Sequence, residues 1–317
     1  MKRITYTHIA VGNLNIDIAL YVDKFPQIGE TLLARELQIR PGGAALNYAI
    51  TVAQYGHTVY LVAKVSTHEF IRVILEEIKH YGVRVDYVKL IEGSPGIVLV
   101  VVDRSGERTM IKYPGVNEEL RPGDLSRDVL REAHVVHVAS TKPEIALGFL
   151  EIASREGIVT SLDPGSYVLE WSSERLLEAL KHTHILFFNE QSLCEHFGNL
   201  SVEKMFKCGL SVLVVKRGGK GAVVLTQNVC YSGYAEPIKR PVDTTGAGDA
   251  FNALFNAKYL ESKDLGLSLV YGLAAGALKT SFRSSFMPWN PRLFDLQLKR
   301  VVVERRSCSE VFLCRES

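Results

Sequence analysis

Short apolar runs alternate with amphipathic segments along most of this chain, and this rhythm limits the folds that it can adopt. The runs are apolar at nearly every position, so both of their faces can be buried. Strands of that kind occur in parallel sheets that carry helices on both faces. The pattern therefore predicts an α/β fold with a mostly parallel central sheet. The predicted strands span residues 58–65, 85–91, 135–139, 159–163, 185–189 and 212–216.

Two stretches interrupt this rhythm and predict strands of a different kind. Residues 19–22 and 31–40 form two short, half-polar runs. Residues 96–103 and 107–113 predict a hairpin around the turn Arg104-Ser105-Gly106. Because neither stretch fits the alternation of strand and helix, we expect them to form a small separate β-sheet that covers a site as a lid.

The length of the chain suits one large α/β domain. It has 317 residues and a mass of 35.3 kDa, and we assign residues 1–300 to that domain. Insertions at about 14–40 and 92–115 are expected to form the lid, and residues 301–317 a C-terminal tail.

Charge and composition argue against several classes of partner. The net charge of +2 offers no basic excess for nucleic acid or for an acidic membrane surface. The longest apolar run, residues 96–102, has the length of a strand and is far too short to cross a bilayer. Asn13 and Asp17 interrupt the N-terminus before a signal-like region can form, which predicts an unprocessed cytoplasmic protein. The five cysteines lack metal-ligand spacing, so reduced thiols are expected.

Residues 243–252 predict a glycine turn that opens a helix. The first N–H groups of a helix lack intrahelical partners and lie at the positive end of its dipole, so they favour an anion. Gly246 and Gly248 let that anion approach the backbone closely. Asp249 would repel the anion, which is explicable if it accepts the proton of a hydroxyl that attacks a phosphoryl group. A plain Asp/Thr-capped helix with a glycine-rich entry is the alternative.

Other polar residues fall beyond the carboxyl ends of predicted strands, where parallel sheets bind ligands. These positions are Asn15, Asp163, Asn189 and the turn at 218–221. Asn15 and Asp17 share one face of an extended chain and suit hydrogen bonds to a polyol, although a solvated loop alone explains them better.

A second glycine-rich junction precedes a helix that ends near residue 55. The pair Gly42-Gly43 lets a ligand lie against the backbone, and Asn47 falls in the first turn of the helix. The sequence has no G-x-G-x-x-G after its first strand and no G-x-x-x-x-G-K-[ST], so dinucleotide and Walker-type phosphate loops lack support.

Taken in chain order, these motifs resemble the signatures of the ribokinase-like (PfkB) carbohydrate kinases. The resemblance covers roughly residues 4–290 and implies a three-layer α/β/α core with a small β lid. It also implies ATP and Mg²⁺ as cofactors and transfer of the γ-phosphoryl group to an alcohol. The matching motifs are Gly12-x-x-Asn15-x-Asp17, Gly42-Gly43 with Asn47, and residues 243–252.

Carried over by position, the resemblance implies a role for each matching residue. The implied catalytic groups are Asp249 as the base and the N–H groups of Gly246, Ala247 and Gly248 as an anion hole. The implied substrate-binding residues are Asn15, Asp17, Gly42, Gly43, Asn47 and Glu144. The implied nucleotide-binding residues are Asn189, Lys216, Gly218 and Gly221. Many members hold a monovalent cation such as K⁺ at the positions of Asp243 and Thr245.

Three segments depart from the family's pattern. The motif N-x-x-E ends here at Ser192, so the acidic residue that is tied to magnesium is absent from its place. The usual glycine–acid segment reads Ser66-Thr67-His68. Phe282-Arg283 replaces the usual glycine–alanine before Pro288, which bears on the monovalent cation. None of the three touches Asp249 or the glycine turn.

The predicted function is that of an ATP-dependent sugar kinase in which Asp249 deprotonates a hydroxyl of a small carbohydrate. A nucleoside kinase of the same family, adenosine- or cytidine-like, is the alternative, because residues 163–165 and the apolar lid hairpin are compatible with it. A catalytically idle sugar-binding regulator is a further alternative, suggested by the three departures. Exposed strand edges in the lid also predict a homodimer through the lid.

Overall fold

A computed structural model describes residues 5–104, 107–198 and 200–308, together with Cys314. The predicted turn residues 105–106 lie outside the described residues. None of the helices in the described ranges combines the length and the apolar character needed to cross a membrane.

The described elements follow one another as fourteen strands and ten α-helices. The strands are β1 (Thr7–Gly12), β2 (Asn15–Tyr21), β3 (Glu36–Gly42), β4 (Thr58–Ser66), β5 (Arg84–Ile91), β6 (Gly96–Val102), β7 (Arg108–Tyr113), β8 (Val135–Ala139), β9 (Val159–Asp163), β10 (Ile185–Asn189), β11 (Val212–Lys216), β12 (Ala222–Leu225), β13 (Cys230–Ala235) and β14 (Val301–Arg306). The helices are α1 (Ala44–Tyr55), α2 (Glu69–His80), α3 (Arg127–Glu132), α4 (Pro143–Arg155), α5 (Ser173–Leu180), α6 (Glu190–Phe197), α7 (Val202–Lys207), α8 (Ala247–Ser262), α9 (Leu265–Lys279) and α10 (Pro291–Leu298).

Ten strands form one central sheet in the order β14-β13-β12-β11-β10-β9-β8-β1-β4-β5. The seven strands from β11 to β5 pair in parallel, and β12, β13 and β14 extend the sheet in antiparallel pairs. The predicted mostly parallel sheet is confirmed. Because parallel strands all end at the same edge, the residues that follow them are brought together there.

Helices cover both faces of this sheet, so the predicted three-layer α/β/α core is also confirmed. Leu186 and Phe188 of β10 pack with α3 to α7 on one face. Ile185 and Phe187 of the same strand pack with α8 and α9 on the other, where α1 and α2 cover the neighbouring strands. Alternation of side chains along a strand thus explains why its apolar runs are continuous.

A separate four-stranded sheet in the order β3-β2-β6-β7 forms the predicted lid. β2 pairs antiparallel with β3 and parallel with β6, and β7 closes the hairpin with β6. Its inner face carries Asp17, Arg40 and Arg108 at alternate positions, and these line a cavity. Its outer face is apolar and open, with Leu37 55% and Ile111 64% exposed.

Some predicted boundaries differ from the structure. β2 begins at Asn15, four residues earlier than predicted, so the solvated-loop interpretation of Asn15 and Asp17 is wrong. The expected tail at 301–317 contains β14, which pairs along β13, a strand that the pattern did not predict. Val301 and Val303 pack beside α9, while the residues between and after them face outward. The sequence has three consecutive valines followed by charged residues, so it lacks the alternation of apolar and polar residues that predicts a strand.

The expectation of reduced thiols is wrong for one pair of cysteines. Cys194 of α6 and Cys314 form a disulfide, with their Cα atoms 5.1 Å apart. They are 120 residues apart in the sequence, so local spacing could not reveal the pair. Cys208, Cys230 and Cys308 are free thiols.

Candidate active site

The candidate site lies at the edge of the central sheet where its parallel strands end. Asp163, Asn189 and Lys216 are the last residues of β9, β10 and β11, and all three line a cavity of about 620 Å³. A second cavity, of about 860 Å³, lies under the inner face of the lid. Arg108 and Thr244 line both cavities, so the cavities meet beside the start of α8.

The glycine turn that opens α8 is held by close backbone packing. Gly246 caps the helix with a φ of 73°. A Cβ at Gly246 would lie 1.7 Å from the carbonyl oxygen of Ser285, so glycine is required there for both conformation and space. Ala247, Gly248 and Asp249 line the first cavity, which places the positive end of the helix dipole at its wall.

Hydrogen bonds inside the turn use some of the predicted anion-binding groups. The N–H of Thr245 donates to Asp243 Oδ1 at 2.8 Å, and the N–H of Ala247 donates to the carbonyl of Thr244 at 3.2 Å. Of the predicted anion hole, the Ala247 amide is therefore already engaged by the turn. The Asp243 side chain thus stabilises the backbone conformation just before the helix.

Asp249 stands in the first turn of α8 and lines the first cavity. Its Oδ2 accepts a hydrogen bond of 2.8 Å from Asn47 Nδ2, which α1 brings from the N-terminal part of the chain. Burial raises the pKa of Asp249 to about 6; Asn47 opposes this shift, Asp163 adds to it, and Lys216 and Lys112 lower the pKa. A carboxylate with this pKa is ionised at pH 7 and is still a useful proton acceptor.

Asp17 lies on the inner face of the lid and lines the second cavity. Its Oδ2 accepts a hydrogen bond from Ser285 Oγ at 3.2 Å, and burial raises its pKa to about 6. Asp17 Oδ1 and Asn47 Oδ1 are both buried without a hydrogen-bond partner among the described residues. Buried acceptors without donors are costly, so these two oxygens indicate a ligand that carries hydroxyl groups.

Gly42 leaves room for the Asp17 carboxylate, and Asn15 lies opposite Gly42 in the lid sheet. A Cβ at Gly42 would lie 2.1 Å from Asp17 Oδ2, so only glycine leaves room for the carboxylate. Asn15 pairs with Gly42 in the sheet and accepts a hydrogen bond of 2.7 Å from Asn117 Nδ2. Gly43 follows as the residue that caps α1, the helix that carries Asn47.

Lys216 places a positive charge next to the start of α8. Its Nζ donates to Asp163 Oδ2 at 2.7 Å and to Asn252 Oδ1 at 3.1 Å. Asn252 Nδ2 donates to the same Asp163 oxygen at 2.7 Å. A Cβ at Gly248 would lie 3.2 Å from Lys216 Nζ, so the ammonium lies directly against the helix start and reinforces its preference for an anion.

The other predicted nucleotide-binding residues line the same cavity. Asn189, Gly218 and Gly221 are all at its wall, although Asn189 Oδ1 also accepts the N–H of Gln191 and so caps α6. Apolar side chains complete the wall and suit a flat ring. They include Val168, Phe188 and Leu273.

Glu144 is not brought into the site. It is exposed in the first turn of α4 and lines a separate surface cavity with Glu118 and Lys142. Its predicted role in substrate binding therefore has no support from its position.

Several residues at the site were missed by the sequence prediction. Arg108 and Lys112 lie on the inner face of β7, and Lys112 is electrostatically coupled to Asp17 and Asp249. The alternation of the predicted hairpin places both on one face, so this pair could have been found. Asn117 lies in a short 3₁₀ helix and Ser285 in a bend without regular secondary structure, so no local sequence pattern marks either residue.

The residues present fit a nucleotide-borne Mg²⁺ better than a protein-held one. Among the residues that the structure describes, no group of three or more His, Cys, Asp or Glu side chains could hold a metal ion. Ser192 lines the first cavity in the place of the usual acid, and Glu190 pairs with Arg217 at 2.8 Å. Mg²⁺ commonly keeps its waters and binds through substrate phosphates with few protein ligands.

The predicted monovalent-cation residues do not fit a free cation. Arg108 Nη1 lies 3.1 Å from Asp243 Oδ1 and also donates to Thr245 Oγ1. Lys279 Nζ donates to the carbonyl of Asp243 at 3.0 Å. Burial lowers the pKa of Lys279 to about 8 while Asp243 opposes the shift, so the side chain is charged at pH 7. Two positive groups therefore already occupy the oxygens that a cation would need.

Two cavities that meet beside a glycine turn, with a carboxylate at the wall of one of them, are what a phosphotransferase needs to bring a donor and an acceptor together. The comparison with known families specifies this class further. The model described as "pfkB family carbohydrate kinase" matches residues 7–287, and the chain belongs to that family. It is a kinase that transfers a phosphoryl group to an alcohol group of a sugar or a nucleoside.

Individual relatives span nearly the same length. An ATP-dependent ribose-1-phosphate kinase from Halopiger xanaduensis is 29% identical over 85% of this chain and 90% of its own. A nucleoside kinase from Methanothermobacter thermautotrophicus is 26% identical over 81% of this chain and 84% of its own. The structure of Arabidopsis thaliana ribokinase, complexed with ribose and ATP, has a TM-score of 0.81 and 25% identity over 93% of this chain and 99% of its own.

Proposed function

We propose that the protein is an ATP-dependent sugar kinase in which Asp249 is the catalytic base. The observation that carries this proposal is the position of Asp249 in the first turn of α8, at the wall of the first cavity, with its Oδ2 held by Asn47 at 2.8 Å. A base must be held where it can reach the attacking hydroxyl, and its pKa must lie near the working pH. The pKa of about 6 meets the second condition, because burial raises it from its ordinary value.

The two sides of the site divide the work of transfer. The cavity of about 620 Å³ would hold ATP, with its phosphates directed to the start of α8 and to Lys216. The N–H dipoles and the ammonium would stabilise negative charge on the phosphoryl oxygens as transfer proceeds. Mg²⁺ bound with the nucleotide would neutralise part of the phosphate charge. Asp249 would take the proton of the acceptor hydroxyl, while the lid excludes water.

The acceptor is proposed to be a small polyhydroxylated molecule. The unpartnered Asp17 Oδ1 and Asn47 Oδ1 support this, because each can accept a hydrogen bond from a hydroxyl group. A carboxylate and a carboxamide of the protein that both face one ligand select for its hydroxyl groups rather than for apolar surface. The ribose in the Arabidopsis ribokinase structure belongs to this chemical class.

The basic lining of the second cavity favours an acceptor that also carries a phosphate. Arg40 and Arg283 line this cavity, and neither pairs with a carboxylate in the part of the chain that the structure describes. Arg40 instead donates to the backbone carbonyl of Arg283 and to Gln38 Oε1, so neither arginine has its charge neutralised there. Guanidinium groups bind phosphate well. The Halopiger relative, a ribose-1-phosphate kinase, supports the same class of acceptor.

A coupled assay of ADP release across a panel of acceptors tests the function. The panel contains ribose, ribose 1-phosphate, adenosine and cytidine, and the Asp249→Asn variant is the control for the base. We expect turnover with ribose 1-phosphate or ribose, and a nucleoside as the best acceptor would instead favour the nucleoside-kinase alternative. Acceptor binding without ADP release for the whole panel would contradict kinase activity and favour an idle regulator.

The phosphate preference has its own test. Arg40→Ala combined with Arg283→Ala should raise the KM for ribose 1-phosphate at least about tenfold, the loss expected for one charge-assisted hydrogen bond. The KM for ribose should stay within twofold. Equal changes in both KM values would assign the arginines a structural role.

A homodimer through the lid is also proposed. Leu37, Ile39, Ile111 and Tyr113 lie exposed on the outer face of the lid sheet, at positions that alternate with the cavity-facing residues. Exposed apolar faces of this kind often mark interfaces. Light scattering after size-exclusion chromatography should give a dimer for the wild type and a monomer for Ile111→Glu. A monomeric wild type would contradict the proposal.

A further inference from the structure

Lys279, the last residue of α9, is a lysine with 0% exposure. Lysine is almost never fully buried unless its ammonium is paired or hydrogen-bonded, because desolvating a charge is costly. The polar surroundings of this one side chain therefore require an explanation.

Oxygen atoms from two segments surround the ammonium of Lys279. Nζ lies 3.0 Å from the carbonyl oxygen of Asp243 and 3.5 Å from that of Phe282. The Asp243 Oδ2 atom is 3.8 Å away. Two backbone carbonyls and a carboxylate are ligands of the kind that bind a small monovalent cation. Here the ammonium group of Lys279 lies among these three oxygen atoms.

Lys279 joins residues 241–245 to residues 280–286, and the contact between these two segments supports the glycine turn. The N–H groups of Val242 and Asp243 both donate to the carbonyl of Thr280, at 2.8 and 3.2 Å. Further along, Gly246 packs against the Ser285 carbonyl without room for a Cβ. A displacement of residues 280–286 would therefore move the backbone at the start of α8.

A free cation at the same oxygens would meet strong repulsion. The Lys279 ammonium would strongly repel a cation placed among the same oxygens, because the effective dielectric constant at such a site is well below that of water. Arg108, paired with Asp243 Oδ1 at 3.1 Å, adds a second positive charge. The site that the family resemblance assigns to K⁺ is thus filled by side chains of the chain itself.

We propose that the ammonium of Lys279 is a built-in monovalent cation that holds residues 241–245 against residues 280–286, so that the enzyme needs no free K⁺. Lys279 is a positioning residue, since it acts on the reacting groups through the backbone of the glycine turn. The inference rests on the proposed function only for its activity readout. Its structural readout, the cation dependence of unfolding, requires no substrate.

Thermal unfolding tests the structural part directly. The wild type and Lys279→Met are melted in KCl and in tetramethylammonium chloride at equal ionic strength. The wild-type Tm should be the same in both salts, whereas the variant should melt lower in tetramethylammonium and regain stability in KCl. A wild-type Tm that rises specifically with K⁺ would overturn the proposal, and this comparison holds even if the variant does not fold.

Kinase activity separates positioning from a purely structural role. In tetramethylammonium, kcat of Lys279→Met should fall by about tenfold to 100-fold, since misplacing reacting groups by about 1 Å costs roughly 100-fold. K⁺ or NH₄⁺ should restore most of this loss, with little change in either KM. A loss that neither cation restores, or no loss at all, would overturn the proposal.

A matched lysine controls for general salt effects. Lys258 lies in the C-terminal half of α8, away from the glycine turn that opens this helix, and pairs with Glu261 at 2.9 Å. Lys258→Met should show no K⁺-specific change in Tm or kcat. If no acceptor gives ADP release, the proposed function fails while the unfolding comparison still decides the role of Lys279.

Discussion

The two walls of the active site are built in different ways. The wall proposed to bind the nucleotide, called the nucleotide wall below, is formed by the ends of neighbouring parallel strands and the start of α8, all anchored in buried core clusters. The wall proposed to bind the acceptor, called the acceptor wall, is formed by a lid sheet that is polar inside and exposed outside. The first wall is built on continuous strand pairing and a buried core, whereas the second depends on contacts between distant segments.

The contacts that close the lid onto the core are few and specific. Arg108 of β7 pairs with Asp243 at 3.1 Å and donates to Thr244 Oγ1 at 2.9 Å. Ser285 donates to Asp17 across the same junction at 3.2 Å. Polar contacts of this kind contribute less to stability than core packing does. Substitutions in the nucleotide wall should therefore lower the free energy of unfolding, whereas substitutions in the lid should raise the KM for the acceptor.

The largest effect is expected at Asp249, the proposed base in the first turn of α8. Asp249→Asn keeps the hydrogen bond that Asn47 donates but removes the base, so kcat should fall by about two to four orders of magnitude. Circular dichroism should show an intact fold. Near-normal kcat in the coupled ADP assay would remove Asp249 from the chemistry.

The next effect concerns the nucleotide wall. Burial tends to raise the pKa of Asp163, but Lys216 and Asn252 hold it below its usual range. Lys216→Met leaves this carboxylate buried without its cation and should cost about 3 kcal/mol of unfolding free energy. Adding Asp163→Asn should recover most of that loss in denaturant titration. Lys207→Met, at an exposed ion pair, is the control and should leave stability unchanged.

A smaller and different effect is expected in the lid. Asp17→Asn should raise the acceptor KM by about tenfold to 100-fold, the range for a lost charge-assisted hydrogen bond, and leave the ATP KM within twofold. Stability should not decrease, because the Asn side chain still accepts from Ser285. A rise in the ATP KM of similar size would contradict the division between the two walls.

The smallest effect is a pH-dependent gain in stability on removing the Asp249 charge. The pKa of Asp249 is raised in the fold to about 6, so the native state binds a proton more tightly than the unfolded chain. Stability from this group is present at low pH and is lost as the pH rises through about 6. At pH 7.5 the free energy of unfolding of Asp249→Asn should therefore exceed that of the wild type, by about 2 kcal/mol or less because solvent in the cavity screens the charge. Near pH 4 the two free energies of unfolding should be equal. An unchanged difference at both pH values would contradict the buried charge.

The sequence predicted the nucleotide wall better than the acceptor wall, for physical reasons. Buried parallel strands give continuous apolar runs, so the positions of Asp163, Asn189 and Lys216 follow from where those runs end. Lid strands are short and half-polar, and the predicted start of β2 was four residues late. Their side chains take their roles from distant partners, as Asn15 does from Asn117.

Other features left no local signal at all. Lys279 ends an otherwise apolar helix and reads as an ordinary C-terminal lysine, although its ammonium is buried against Asp243. The Cys194–Cys314 disulfide joins residues 120 positions apart. Glu144 shows the opposite case, because a residue assigned to substrate binding by its position in the family pattern lines a separate surface cavity, and its role stays a prediction.

A crystal structure with a non-hydrolysable ATP analogue and the preferred acceptor tests the central claim most directly. The terminal phosphate should lie against the N–H groups at the start of α8, near Gly248 and Lys216. An acceptor hydroxyl should lie about 2.6–3.2 Å from Asp249. A terminal phosphate bound away from residues 246–249, or an acceptor with no hydroxyl near Asp249, would contradict the account.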